Sequence, residues 1–248
     1  MRIGSYSFRP TLLPTSLAIL GVAFLINLGN WQIDRAAEKK LILSDIATKK
    51  SSKPLTLNDL DKLDDKNYYR FKATGQYDNK HYLLLDNRFY KSRPGFEVLQ
   101  PLIVGNRVIL VNRGWIPLPR DRNNLPAIPV IELVIEVRGE VNEPTDAIVL
   151  KNDQLSSENS WPQLVQSLEI EVLAQLYGEL GYEIEPWILR QEADNDVFYK
   201  REWIFVAMSP EKHISYAVTW FGLALALIII YIAAATSREE IKIGTDEV

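Results

Sequence analysis

The sequence predicts an α+β membrane protein in which two transmembrane helices flank one β-rich domain that contains a short helix. Two uncharged apolar runs predict the helices, because each is long enough to cross a hydrocarbon core of about 30 Å at about 1.5 Å per residue. Between them, β-branched and aromatic stretches broken by Gly and Pro predict the domain. The predicted organisation is a tail at 1–10, a span at 11–30, the domain at 31–212, a span at 213–235 and a tail at 236–248.

The first span has two interruptions and one competing interpretation. Pro14 falls in the first turn, where a missing N–H is harmless, and Asn27 lies near the other end. A cleaved signal peptide is the alternative, since Arg2 and Arg9 would give it a basic front. The stretch INLGNWQIDR after the apolar core offers no small-x-small cleavage site, so a retained helix is favoured.

The segments next to the spans also bear on the orientation of the protein in the membrane and on its location. A long translocated segment is largely exempt from the positive-inside rule, so the basic residues beside the spans decide little. We favour cytoplasmic tails and a domain on the outer face. The stretch before the first span leaves no room for an Arg- and Ser-rich transit peptide, which favours a bacterial inner membrane with a periplasmic domain.

The pattern between the spans predicts the elements of the domain. Residues 31–50 contain no Gly or Pro and predict that the first helix continues out of the membrane as far as Pro54 and the serines before it. Gly105 and Asn106 predict a two-residue hairpin turn, and the breaks between the strands predict antiparallel pairs with one longer connection. Apolar residues at helical spacing predict a helix at 167–177, closed by Gly178. Strands are predicted at 68–77, 82–86, 96–104, 107–111, 130–141, 187–191 and 203–207.

Composition excludes several classes of function. A net charge of −4 and a pI near 5.4 lack the basic footprint of a nucleic-acid-binding protein, so no nucleic-acid partner is expected. The absence of cysteine removes disulfides and thiolate ligands. With only two histidines, His81 and His213, and two methionines, Met1 and Met208, no copper or zinc site is expected.

Catalytic patterns are missing from the sequence, so we predict that the protein is not an enzyme. His81 lies near Asp78 and Asp86, but no nucleophile elbow and no phosphate loop accompanies it, and an exposed surface histidine is the favoured interpretation. An acidic stretch is interleaved with lysines and predicts a solvated loop rather than a metal site. Its carboxylates are Asp59, Asp61, Asp64 and Asp65.

Five phrases of the chain, in their order and spacing, resemble the Surfeit locus protein 1 family of cytochrome c oxidase assembly factors. They are GNWQIDR at 29–35, RPGFEVLQPL at 93–102, VILVNRGW at 108–115, RGE at 138–140 and HISYAVTWF at 213–221. The resemblance covers nearly the whole chain. It implies a membrane protein that assists maturation of the oxidase core subunit carrying haem A, with that subunit, haem A or haem A synthase, and the lipid bilayer as partners.

The resemblance also implies that His213, which matches the histidine of bacterial members that look like haem A binders, is a ligand to the haem iron. Iron accepts a neutral imidazole nitrogen, and a histidine at a membrane boundary suits a macrocycle with an apolar body and charged propionates. A helix would place His213 in one stripe with Tyr216, Ala217, Trp220 and Ala224, which would leave room for a flat ring.

The alternative for this stripe is structural. Tyr216 and Trp220 would then form an interfacial aromatic belt. The two alanines would allow close packing against Ala18, Gly21 or Leu25 of the first span.

Four other residues are predicted to contribute to cofactor binding. Asn27 and Trp31 are expected at the same membrane depth as His213, with Asn27 bonded to the other helix or to a ligand. Arg35 is expected to pair with a propionate or with a lipid phosphate, the latter being the default. Arg113 is expected at an edge turn, beside Trp115 on the domain surface. If that edge faces the membrane, Arg113 would meet the ligand or a partner subunit.

Two functions from different classes remain open at this stage. One is a haem-handling assembly factor, for which the second protein ligand to the iron would be His81, Met208 or a residue of another chain. The other is a cofactor-free scaffold that clamps an assembly intermediate. A membrane-tethered sensor is disfavoured because the short tails provide no output domain.

Overall fold

The structure is a computed structural model that describes residues 2–3, 6–120, 124–143, 161–166, 168, 170–194 and 196–238. The chain divides into two units. We call Met1–Ser44 together with Phe205–Val248 the helical unit, and Asp45–Ile204 the β unit. The predicted tail beyond residue 238 lies outside the described residues.

The described residues form four helices and ten strands. The helices are α1 (Leu12–Ser51), α2 (Leu57–Leu60), α3 (Ile170–Glu179) and α4 (Pro210–Ala235). The strands are β1 (Arg2–Ile3), β2 (Tyr6–Phe8), β3 (Arg70–Tyr77), β4 (Leu83–Tyr90), β5 (Arg93–Val104), β6 (Arg107–Pro117), β7 (Ile135–Asn142), β8 (Gln163–Val165), β9 (Glu183–Gln191) and β10 (Thr236–Arg238).

The two long helices confirm the predicted layout of two apolar helices around a β-rich domain. α1 and α4 are both long and apolar enough to cross a membrane. α1 ends at Ser51, as the serines and Pro54 predict, and its forty residues extend for about 60 Å at about 1.5 Å per residue. α4 begins three residues before His213, because Ser209 caps it and Pro210 takes the first position, where its missing N–H costs nothing.

α1 and α4 pack against each other as an antiparallel pair inside the helical unit. At one end the hydroxyls of Thr15 and Tyr231 lie 2.6 Å apart. Beyond them, β2 pairs with β10, and β1 pairs with β2, in a small three-stranded sheet that the sequence does not predict. Further along, a Cβ on Gly29 would lie 2.4 Å from the ring of Phe221. The close approach of the two backbones at this point therefore depends on glycine.

The β unit is built on one seven-stranded sheet with the order β3-β7-β9-β6-β5-β4-β8. β3 pairs with β7 at one side and also with the end of β5, through Gln76 with Ile103 and Tyr77 with Leu102, so part of the sheet closes on itself. The predicted hairpin is confirmed, since Val104 faces Arg107 across the turn and Gly105 has a φ of +64°. The pairings β6–β9 and β4–β8 are parallel, contrary to the expectation of antiparallel pairs alone.

The core of the β unit lies on both faces of β6, whose alternate residues enter two clusters. Val108 and Leu110 pack with α3 through Leu173 and Tyr177. Ile109 and Val111 pack inside the closed part of the sheet with partners that include Phe71, Leu102 and Trp187. A strand buried on both faces has a continuous apolar sequence, and VILV at 108–111 is such a run.

Two of the predicted strands need correction. Residues 203–207 form no strand, since the backbone contact with β6 is a single bridge between Trp115 and Lys200. β7 begins at Ile135 rather than at residue 130, because the side chain of Asn79 bonds the backbone N–H and C=O of Ile131 and takes the place of a neighbouring strand. The predicted helix at 167–177 is α3, which begins at Ile170, and residues 167 and 169 lie outside the described residues.

Candidate functional site

His213 is joined to the opposite helix by a hydrogen bond to Gln32. The ring Nδ1 of His213 lies 2.7 Å from Oε1 of Gln32, and both side chains are buried, with 8% and 9% of their surfaces exposed. An amide oxygen only accepts hydrogen bonds, so Nδ1 carries the proton and donates. In the neutral ring, the lone pair is therefore on Nε2.

The second ring nitrogen remains at the surface of the helical unit. Nε2 of His213 makes no hydrogen bond among the described residues, and it does not belong to the fully buried polar atoms that lack a partner. A neutral imidazole whose Nε2 is unbonded and reaches the surface is the form of histidine that ligates metals. The site thus presents one nitrogen lone pair at the edge of an apolar helix pair.

The stripe predicted on α4 is divided between two environments. Ala217 and Ala224 are 2% and 4% exposed, as expected for small residues that allow close helix packing. Tyr216 is 48% exposed and projects away from the packed face. Trp220 is partly buried, and its indole N–H is buried without a partner among the described residues. The alanines therefore serve helix packing, and only the aromatic side of the stripe is open to another molecule.

On α1, the predicted site residues lie on the exposed face. Asn27 is exposed and makes no hydrogen bond to α4 within the described part of the chain, so the predicted interhelical bond does not form. Trp31 is 48% exposed, and the guanidinium carbon of Arg35 lies 5.7 Å from the centre of its ring. Arg35 also donates to Glu38 at 2.6 Å. An exposed ion pair of this kind contributes little to stability, so the arginine can exchange Glu38 for another anion.

Gln32 is the site residue that the sequence prediction misses, although its neighbour Trp31 is included. A signal for it exists, because Gly29, Gln32 and Ala36 recur at helical spacing and share one face of α1. All three are buried. A glutamine in line with small residues on an apolar helix indicates a polar contact across the helix interface.

Arg113 lies in the β unit, in the interior of β6 and not at an edge turn. β6 pairs with β5 on both sides of Arg113, through Asn112 and Gly114, and only 3% of Arg113 is exposed. Its guanidinium carbon lies 4.9 Å from the ring centre of Tyr77 and 4.5 Å from that of Tyr199, and Nη1 donates to Oε1 of Gln100 at 2.7 Å. Burial raises the pKa of Tyr199 to about 12, although the cation beside it acts in the opposite direction. Two aromatic faces and one amide thus surround this buried cation.

The neighbour predicted on the domain surface is buried as well. Trp115 is 7% exposed, packs against Tyr90, and donates its indole N–H to the carbonyl of Arg88. The VNRGW phrase therefore belongs to the core of the β unit. The polar residues within this phrase have buried partners, so they do not indicate that the chain approaches the surface.

His81 is half-buried, which corrects its interpretation as an exposed surface residue. Its Nδ1 lies 2.7 Å from Oδ2 of Asp78, and its ring packs edge-on against Trp161 and Tyr177. Tyr177 donates to the same Oδ2 at 3.1 Å. Burial would raise the pKa of Asp78, but hydrogen bonds from His81 and Lys80 outweigh it and hold that pKa below its usual value. The group is a hydrogen-bonded anchor between α3 and the start of β4.

Among the described residues, no group of three or more His, Asp or Glu side chains is arranged to hold a metal ion. The acidic stretch is used for local structure instead. Asp59 completes a capping box with Thr56, Asp61 pairs with Arg107, and Asp65 pairs with Lys49. Met208 belongs to the helical unit, close in sequence to His213, whereas His81 belongs to the β unit.

The chain is similar to known proteins over most of its length. A model of the SURF1 family matches residues 19–225, a range that includes both Gln32 and His213. A SURF1-like protein of Rickettsia conorii is 30% identical over 226 residues, which cover 87% of this chain and 88% of that protein. A SURF1-like protein of Rickettsia felis is 29% identical, over 88% of this chain and 95% of that protein. Surfeit locus protein 1 of Xenopus tropicalis is 26% identical, over 91% and 76% of the two chains.

Proposed function

Because the chain belongs to the SURF1 family, we propose that it assists the assembly of cytochrome c oxidase by holding haem A on its helix pair, with His213 as a ligand to the iron. The function in oxidase assembly comes from the family resemblance of the five phrases. The geometry of the helical unit supports the proposed position of the haem.

The observation that carries this proposal is the state of the His213 ring. Iron of haem takes a lone pair from imidazole, and Nε2 offers one at the surface while Nδ1 is occupied by Gln32. The other histidine of the chain is engaged with Asp78 and packed against two aromatic rings. His213 is therefore the better supported of the two candidate ligands.

Other side chains of the helical unit also suit the cofactor. Tyr216 and Trp31 are half-exposed aromatic side chains of the helical unit, suited to contact with a flat apolar ring. Arg35 pairs with an exposed carboxylate, lies over the Trp31 ring, and is suited to a propionate or to a lipid phosphate. The haem, when bound, would supply the iron that needs a protein nitrogen. The burial of Arg113 does not support contact of this residue with the cofactor, and no hydrogen bond of Asn27 within the described part of the chain directs it towards His213.

The proposal includes a location and a set of partners. The two apolar helices would hold the chain in a bacterial inner membrane, with the β unit in the periplasm. The partners would be the core oxidase subunit, which receives haem A, and haem A synthase, which makes it. In this function the protein transfers a cofactor and catalyses no reaction of its own.

A cofactor-free scaffold is the second candidate, and the same hydrogen bond favours it. The Gln32–His213 bond joins two apolar helices, and a polar contact between such helices stabilises their association by about 0.6 kcal/mol on average. A histidine that served only this purpose would need no iron. The two functions differ in whether the purified protein carries haem.

The absorption spectrum of the full-length protein, purified in detergent from cells that make haem A, tests the proposal. We expect a haem spectrum from the wild type, loss of most of it from His213→Ala, and retention of it in Thr15→Val, which removes a hydrogen bond at the other end of the same helix pair. Haem absent from the wild type, or bound equally by His213→Ala, would overturn the proposal. Oxidase assembly that persisted without bound haem would support the scaffold.

A further inference from the structure

We infer that Gln32 is a positioning residue for the haem ligand: its amide oxygen fixes which nitrogen of His213 faces the iron and how strongly that nitrogen donates. This inference rests on the proposed haem function and goes beyond it, because it assigns a separate task to a residue that does not touch the cofactor.

The geometry supports fixation of the ring. The two side chains come from different helices, 181 residues apart in sequence, and the 2.7 Å contact is buried. A free imidazole can carry its proton on either nitrogen and can rotate about its side-chain bonds. Because Gln32 accepts a hydrogen bond from Nδ1, His213 is held in one tautomer and one orientation. The lone pair of Nε2 then points away from Gln32.

The hydrogen bond from His213 to Gln32 also affects how strongly the ligating nitrogen donates. A metal-bound histidine usually donates its other ring N–H to a carbonyl, a carboxylate or water, and this hydrogen bond increases the basicity of the ligating nitrogen. A stronger imidazole donor favours ferric over ferrous iron. Gln32 is therefore expected to lower the reduction potential of a haem held by His213.

A purely structural role would predict something different. If Gln32 only fastened α1 to α4, its loss would resemble the loss of the Thr15–Tyr231 bond, which joins the same two helices at the opposite end. That bond is distant from His213 along both helices. The pair of contacts thus offers an internal comparison between fastening the helices and tuning the ligand.

The experiment compares Gln32→Met, Gln32→Glu and Thr15→Val in the full-length protein, purified with haem A in detergent. Met preserves length and apolar packing but accepts no strong hydrogen bond, whereas Glu retains an acceptor oxygen. For each variant we would measure the dissociation constant of haem A and the midpoint potential of the bound haem at pH 8.

We expect Gln32→Met to weaken haem binding by about 10- to 100-fold and to raise the midpoint potential. Gln32→Glu should restore binding and bring the potential to the wild-type value or below it. Thr15→Val should change neither quantity. If Gln32→Met does not fold, the potential of Gln32→Glu decides, and a value above the wild type would overturn the inference.

The outcomes separate this inference from the proposed function. Haem binding that depends on His213, with an unchanged potential in Gln32→Met, would overturn the role of Gln32 alone. Equal effects of Gln32→Met and Thr15→Val would assign Gln32 to helix packing and would also overturn it. A wild-type protein without haem would refute the proposed function itself.

Discussion

Gly29 in α1 packs directly against the ring of Phe221 in α4, with no space for a side chain between them. A Cβ added to Gly29 would lie 2.4 Å from Cε1 of Phe221 and 2.6 Å from Cζ. Gly21 is similarly close to α4, since a Cβ added to it would lie 2.9 Å from the side chain of Leu227. The helix pair therefore depends on small residues in the manner of membrane helices, where close backbone approach replaces the hydrophobic effect.

Gly29→Leu should separate the two helices. The added side chain overlaps the Phe221 ring, and overpacking of this kind costs about 1–3 kcal/mol. We expect a lower melting temperature in detergent. The hydrogen bond between Gln32 and His213 should also weaken, because Gln32 lies on the same face of α1 one turn later. The melting temperature and the amount of haem retained would be measured together.

Gly222→Leu is the matched control, since it makes the same substitution on α4 where a Cβ would meet nothing within 4 Å. It should leave the melting temperature nearly unchanged. Equal destabilisation by both substitutions would show that the contact between Gly29 and Phe221 does not hold the helices together.

Asn27→Leu should have little effect on the helix pair. Asn27 is exposed and makes no hydrogen bond to α4 among the described residues, so the substitution removes no contact between the helices. We expect the melting temperature and the retained haem to match the wild type. A loss of haem with unchanged stability would instead assign Asn27 to the ligand, as the sequence predicts.

The sequence predicts the long helices well because their signals are local. An uncharged apolar run sets the length of each span, and Ser209–Pro210 and Ser51–Pro54 set two of their ends. The hairpin at Gly105 is equally local. By contrast, the turn between β4 and β5 places Lys91 and Ser92 at φ values of +47° and +63°, and neither residue carries the glycine or asparagine signal for such a turn.

The candidate site likewise contains one residue that a local signal predicts and others that only tertiary contacts reveal. His213 is predictable because histidine is rare in this chain and lies at the end of an apolar run. Its partner Gln32 is 181 residues away, and only the folded helix pair shows that the two meet. The burial of Arg113 depends in the same way on tertiary contacts with Tyr77 and Tyr199, which sequence spacing does not reveal.

Arg113→Met should destabilise the β unit by about 2–4 kcal/mol. The substitution removes the cation between Tyr77 and Tyr199 and leaves Oε1 of Gln100 without its donor. Denaturant unfolding followed by tryptophan fluorescence would measure the change. Arg138→Met provides the comparison, because that side chain is 57% exposed and pairs with Glu136 at the surface. A loss no larger than that of Arg138→Met would contradict a central role for Arg113 in packing.

Acid should destabilise the β unit partly through Asp78. Its pKa is lower in the folded protein than its ordinary value near 3.9, because hydrogen bonds from His81 and Lys80 outweigh the effect of burial. A carboxyl group with a depressed pKa contributes stability that is complete above the unfolded-state pKa and is lost as the pH falls through the folded-state pKa. The contribution of Asp78 should therefore be complete above about pH 4 and should decrease progressively as the pH falls below that value.

Asp78→Asn tests this contribution. At pH 7 the variant should be less stable than the wild type by on the order of 1–3 kcal/mol, since it loses hydrogen bonds to a charged acceptor. The difference should shrink as the pH is lowered from 4 towards 2, because the wild-type carboxylate becomes protonated there. Urea unfolding at a series of pH values would measure it, with Asp64→Asn, at an exposed position, as the control. A difference that stayed constant down to pH 2 would show that the charge of Asp78 does not stabilise the contacts to His81 and Tyr177.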